Sequence, residues 1–120
     1  MQGVSYRISG GNLEVLDAMD AVRWAGKPKG MRPTSLLPIQ GSNDCIVLCD
    51  PGAQPRGFKN LFRVTPNGDV AWEADLPSSG EDFYLSVRYT NDVVLANTWS
   101  GFLVQLDLNT GRVARRTFVK

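Results

Sequence analysis

Histidine is missing from all 120 residues, which removes serine–histidine and cysteine–histidine nucleophile pairs, imidazole metal ligands and the ordinary near-neutral pH switch. An excess of one charge sign is missing too. Thirteen basic and 12 acidic side chains leave a net charge of +1, so no strong electrostatic pull toward nucleic acid or an anionic membrane is expected. No stretch approaches the roughly 18 apolar residues of a membrane span, and residues 1–12 are polar and glycine-containing, unlike a signal peptide. Cysteine is scarce, with two residues. Cys45 and Cys49 share an apolar run that reads as a strand, where four residues of rise separate their Cα atoms by about 13 Å; a disulfide tolerates about 7 Å. Their spacing is also not that of zinc or redox pairs, so two buried free thiols in a reducing, cytoplasmic setting are expected.

What is present is ordinary globular material, 42% apolar and 21% charged, enough for one domain that buries roughly two-thirds of its unfolded surface without a metal or disulfide. Period-two alternation dominates. Phe83, Leu85, Val87 and Tyr89 alternate with Tyr84, Ser86 and Arg88, and Val70, Trp72, Ala74 and Leu76 alternate with Ala71, Glu73 and Asp75, which is the pattern of half-buried strands. Two runs are apolar throughout, 45–49 and 93–96, and are expected to be central strands covered on both faces. Pro66-Asn67-Gly68-Asp69 and Asn109-Thr110-Gly111-Arg112 read as tight hairpin turns.

Aligned on those turns, the chain repeats itself. Residues 34–76 read as four strands (34–39, 45–49, 61–64 and 70–76), and residues 82–119 read as four more (83–89, 93–97, 102–108 and 113–119), with a longer second-to-third connection, 50–60, in the first unit. Four antiparallel strands per unit, repeated, is the signature of propeller blades; an eight-stranded sandwich is the alternative. Residues 1–33 read either as a hairpin through Leu16, the outer part of an incomplete third blade with a helical turn over 17–24, or as a helix capped by Asn12. Residues 27–33, with two prolines and a glycine, read as a loop.

The segment Asn60-Leu61-Phe62-Arg63-Val64-Thr65-Pro66-Asn67-Gly68-Asp69-Val70-Ala71-Trp72 resembles the third and fourth strands of a quinoprotein-like, PQQ-type or arylsulfotransferase-like propeller repeat, and residues 101–113 repeat the theme. The chain also resembles small bacterial proteins with two such blades that close on Trp99-Ser100-Gly101 and Phe118-Val119-Lys120. The resemblance implies an all-β fold of two four-stranded antiparallel propeller-like blades, with an N-terminal hairpin or short helix packed on them. It carries over no catalytic residue. Quinoprotein dehydrogenases are many-bladed and hold a calcium-bound quinone in a carboxylate cage, and arylsulfotransferases of this type need the histidine that is missing here.

Carboxylates are the remaining route to catalysis. Glu81 with Asp82 reads as turn decoration, and Asp17 with Asp20 lacks the glycine and further oxygen ligands of a calcium loop. No metal, cofactor or catalytic residue is therefore assigned, and a carboxylate hydrolase ranks third among the functions. The basic stretches around Arg23, Lys27, Lys29 and Arg32, and around Arg112, Arg115, Arg116 and Lys120, read as solvated faces. The first reading is a non-catalytic recognition or protein-interaction module, and a small-ligand (sugar or anion) binding protein is the alternative. In either case loops on a rigid β scaffold carry recognition, and Arg56, Lys59, Tyr84, Arg88 and Trp99 are the candidate binding residues. Two blades cannot close a propeller, so self-association as a homo-oligomer, or capping by residues 1–33, is expected alongside a protein partner, with neither nucleic acid nor membrane.

Overall fold

The computed structural model describes residues 3–52, 59–78 and 81–119 and is nearly all β. An N-terminal sheet of β1 (Ser5–Ser9), β2 (Asn12–Leu16) and β3 (Val22–Gly26) is followed by a single 3₁₀ turn at Pro28–Gly30. The middle sheet contains β4 (Arg32–Pro38), β5 (Cys45–Asp50), β6 (Leu61–Val64) and β7 (Val70–Glu73). The C-terminal sheet contains β8 (Tyr84–Thr90), β9 (Val93–Thr98), β10 (Phe102–Leu106) and β11 (Val113–Phe118). Strands pair antiparallel in chain order within each sheet, and the sheets do not close into a barrel.

The three sheets share one hairpin design. Asp17, Thr65 and Asp107 each open the last turn of their sheet and fold it over a side-chain oxygen, which accepts the backbone N–H groups of Met19 and Ala21, of Asn67 and Asp69, and of Asn109 and Thr110. A bulge flanks each turn, with the extra residue, Arg23, Ala71 or Ala114, on the strand that follows it, opposite Val15/Leu16, Arg63/Val64 and Gln105/Leu106. The N-terminal sheet thus matches the last three strands of the other two. Its β3 replaces the helical turn expected over 17–24: Val22 to Gly26 pair with β2, because ladder hydrogen bonds and Trp24 packing outweigh a short helical pattern with no partner of its own. The expected loop over 27–33 is shorter than its prolines suggested, since β4 begins at Arg32 with Pro33 beside a bulge, a position where a missing N–H is tolerated.

The middle sheet is covered on both sides. Cys45, Val47, Cys49, Phe62 and Val64 pack with Leu13, Trp24 and Tyr6 of the N-terminal sheet, while Ile46, Leu48, Leu61 and Trp72 pack with Val94, Ala96, Val104 and Leu106 of the C-terminal sheet. Alternate residues of β5 therefore serve opposite cores, as its uninterrupted apolar run requires. The second apolar run behaves differently. In β9 only Val94, Ala96 and Thr98 are buried, and the face carrying Leu95 has no sheet against it, which corrects the expectation of double coverage over 93–96.

Tryptophan rings lock one sheet to the next. Trp24 of β3 lies on the turn of the middle sheet at Gly68, and Trp72 of β7 lies on the turn of the C-terminal sheet at Gly111. A Cβ at Gly68 would sit 2.2 Å from the Trp24 ring, and one at Gly111 2.6 Å from Trp72; both glycines have positive φ, 85° and 74°. Trp72 Nε1 and Arg63 Nη1 both donate to the Leu108 carbonyl, at 2.8 and 3.0 Å. Gly68→Ala should therefore cost about 3 kcal/mol or more, from strained φ plus the displaced ring. Gly41→Ala, also at positive φ (77°) but with nothing within 4 Å of the added carbon, should cost only about 1–2 kcal/mol. Urea titrations of the two variants compare them directly; equal losses would show that the Trp24 contact contributes nothing.

Candidate functional site

At one end of the stack the β9–β10 turn, the start of β8, the segment after β7 and the residues before β6 converge. Asn60 is fully buried and has both sides of its amide engaged. Its Nδ2 donates to the Cys49 carbonyl at 2.9 Å and the Tyr84 carbonyl at 2.8 Å, and its Oδ1 accepts the Tyr84 N–H at 2.8 Å. One side chain thus extends β5 and clamps the next sheet to it. Asp82, also fully buried, accepts the N–H groups of Phe83 and Ser100 at 2.9 and 3.0 Å and the Ser100 hydroxyl at 2.5 Å. Thr98 Oγ1 accepts the Phe102 N–H. The Asp82 and Thr98 contacts fix the turn that carries Trp99.

Trp99 is 41% exposed and stacks on Phe83, with ring centroids 6.0 Å apart and planes inclined by 16°; its backbone N–H donates to the Phe83 carbonyl at 2.9 Å. Lys59 lies at the same end and pairs with Asp75 at 3.0 Å. Tyr84 joins them only from beneath. It is 2% exposed and its hydroxyl donates to the Asp75 carbonyl, so it is a core residue and not the rim residue that plain alternation suggested. The cause is a bulge between Tyr84 and Ser86, which adds one residue and turns Tyr84 inward beside Val87 and Tyr89, leaving Leu85 outward and 54% exposed. Arg88 is exposed but opposite Leu95, further along β8. It belongs to the open sheet face rather than to this end. Arg56 lies outside the described residues. Sequence reasoning passed over Asn60 as an anchor, because a single asparagine before an apolar strand carries no periodic signal.

The groups that resemble reactive ones are engaged in structure. Asp17 caps its turn, and among the described residues no group of three or more cysteine and carboxylate side chains is placed to hold a metal. Cys45 and Cys49 are free and buried, and burial pushes both thiols up to about 12, so neither supplies a thiolate nucleophile. A raised native pKa means that the folded state holds its protons longer than the unfolded chain. The thiol contribution to stability is then complete below the unfolded value, roughly pH 9, and is lost as pH climbs toward 12. Melting temperature should fall across that window, less so in a Cys45→Ala/Cys49→Ala chain compared with its own value at pH 8, and a native chain at pH 8 should resist an aromatic disulfide reagent until unfolded. Rapid labelling of the folded protein would contradict the burial.

Comparison with solved structures finds the same architecture at low identity. The computationally designed Ika4 protein superposes with a TM-score of 0.64 at 14% identity over 99% of this chain and 68% of its own. The computationally designed Ika8 protein gives 0.63 at 14% identity over 98% of this chain and 33% of its own. BamB from Moraxella catarrhalis gives 0.58 at 16% identity over 97% and 35%. The chain therefore spans about a third of the length of two of these structures, and the likeness is one of fold. No curated protein matches by sequence. A family profile does, and it covers residues 37–118, from within β4 to the last residue of β11, leaving the N-terminal sheet outside. The chain belongs to the family described as Domain of unknown function (DUF7957).

Proposed function

We propose that the chain is a non-catalytic protein-interaction module built from propeller-type blades, acting in a reducing compartment and binding a protein partner through the end that carries Phe83 and Trp99. The repeated hairpin design and the likeness to BamB support the blade reading. The single observation that carries the functional reading is the stacked, partly exposed Phe83–Trp99 pair standing on a turn whose buried polar groups are bonded beneath it. An aromatic surface held rigid before contact loses little conformational entropy on binding, which is the usual character of an interface anchor. Lys59, next to Asn60 in the chain, is tied to Asp75, so charge contributes orientation more than affinity.

Photocross-linking from a benzoylphenylalanine placed at position 81, exposed two residues before Phe83, in intact cells, should yield a discrete protein adduct, and the same group at position 7 on the opposite side of the stack should not. With the captured partner purified, Trp99→Ala should weaken binding by about tenfold or more while leaving the melting temperature within a few degrees. No protein adduct at position 81, or an undiminished affinity in Trp99→Ala, would overturn the reading.

A further inference from the structure

The stack has two outer faces of opposite character. On the N-terminal sheet the outer face centres on Arg7 and Glu14, which pair at 2.6 Å, with Asn12 and Ala25 beside them; it is closed by its own polar contacts. On the C-terminal sheet the outer face keeps Leu95 and Leu103 next to Gln105, Arg115 and Thr117 around an open hollow of about 210 Å³. The register shows which face of the middle sheet this one corresponds to. Leu95 and Leu103 occupy the places that Ile46 and Leu61 hold in the middle sheet, where they are buried against the next sheet, and Arg115 stands opposite Gln105 just as Trp72 stands opposite Arg63. The apolar centre of a covered face is retained, while the tryptophan that grips the next turn is exchanged for a cation.

We infer that the outer face of the C-terminal sheet is a second docking surface, for a different protein that presents apolar side chains flanked by carboxylates. The inference rests on the reading of the chain as an interaction module and assigns a surface distinct from the Phe83–Trp99 end. Charge selects the occupant: Arg88 and Arg115 flank the two leucines, and none of the residues that the strand register places on this face, from Ser86 across to Thr117, is acidic. A second copy fits poorly in either orientation. Face to face it would set Arg88 and Arg115 against their own equivalents. Head to tail it would set the leucines against the Arg7–Glu14 pair, and the turn that would have to receive it carries Asp20, at φ 62°, where the other two turns carry glycine. Apolar burial then supplies affinity, and the two guanidinium groups supply orientation and discrimination.

The test titrates the full ¹⁵N-labelled chain with a short synthetic peptide alternating leucine and glutamate, and separately with one alternating leucine and lysine. Saturable amide shifts centred on β9, β10 and β11 are expected with the glutamate peptide, a response weaker by about tenfold with the lysine peptide, and a reversed preference in Arg88→Glu/Arg115→Glu, whose exposed positions leave the fold intact. Equal binding of the two peptides, shifts centred elsewhere, or no binding would overturn the inference. So would a concentration-dependent dimer abolished by Leu103→Glu, which would give the face to a second copy. Trp99→Ala should bind the glutamate peptide like the parent chain, so failure at this face and failure of the Phe83–Trp99 reading are separate results.

Discussion

Burial of β5 on both faces is the constraint on which the rest of the structure depends. Its five consecutive apolar side chains, Cys45 to Cys49, are all at most 5% exposed. At about 1.5–3 kcal/mol for each of Ile46, Val47 and Leu48 and about 1 kcal/mol for each smaller thiol they contribute some 9 kcal/mol, and ordering the six-residue strand costs about 1–2 kcal/mol per residue, some 9 kcal/mol in all. The balance is close only because both faces are covered; with one sheet removed the strand would be left several kcal/mol short. A sheet on each side is therefore a condition for the middle sheet to exist. That is the physical role of the N-terminal strands, even though they fall outside the span that the family shares.

Apolar burial does not set how the sheets are positioned, because it has little direction. The positioning is polar and local. At one end the Asn60 amide ties the backbone of Tyr84 to the middle sheet, and at the other the Leu108 carbonyl receives both Trp72 and Arg63. These groups are buried or half-buried and satisfied, so each lost partner would leave a desolvated group behind. Placing such links at both ends of a sheet pair fixes the angle between sheets, and so fixes the platform on which Phe83 and Trp99 stand.

Much of this architecture is legible in the residues. The Asn-Gly and Thr-Gly turns and the alternation around them disclose the repeat, and the unbroken run at β5 discloses double coverage. Two readings fail for one reason, which is that periodicity assumes an unbroken ladder and an identical setting for identical patterns. The bulge before Ser86 reverses the facing of Tyr84, and nothing in the local composition announces it. The run 93–96 looks like 45–49, yet it lies in the terminal sheet, where no neighbour covers Leu95. Asn60 and Asp82 escape notice because their value lies in partners distant in sequence. Trp99 is legible only as an aromatic residue in a loop; that it stands on a bonded turn is a tertiary fact.

Native-state hydrogen exchange tests the central claim most directly. If double-sided burial of β5 organises the fold, the amides of Ile46 to Leu48 and their partners on β6 should exchange slowest and only through global unfolding, with β1 and β11 opening at lower free energy. Exchange of the β5 amides as fast as those of β1 or β11 would contradict the account, because the middle sheet would then not be the element that the other two enclose.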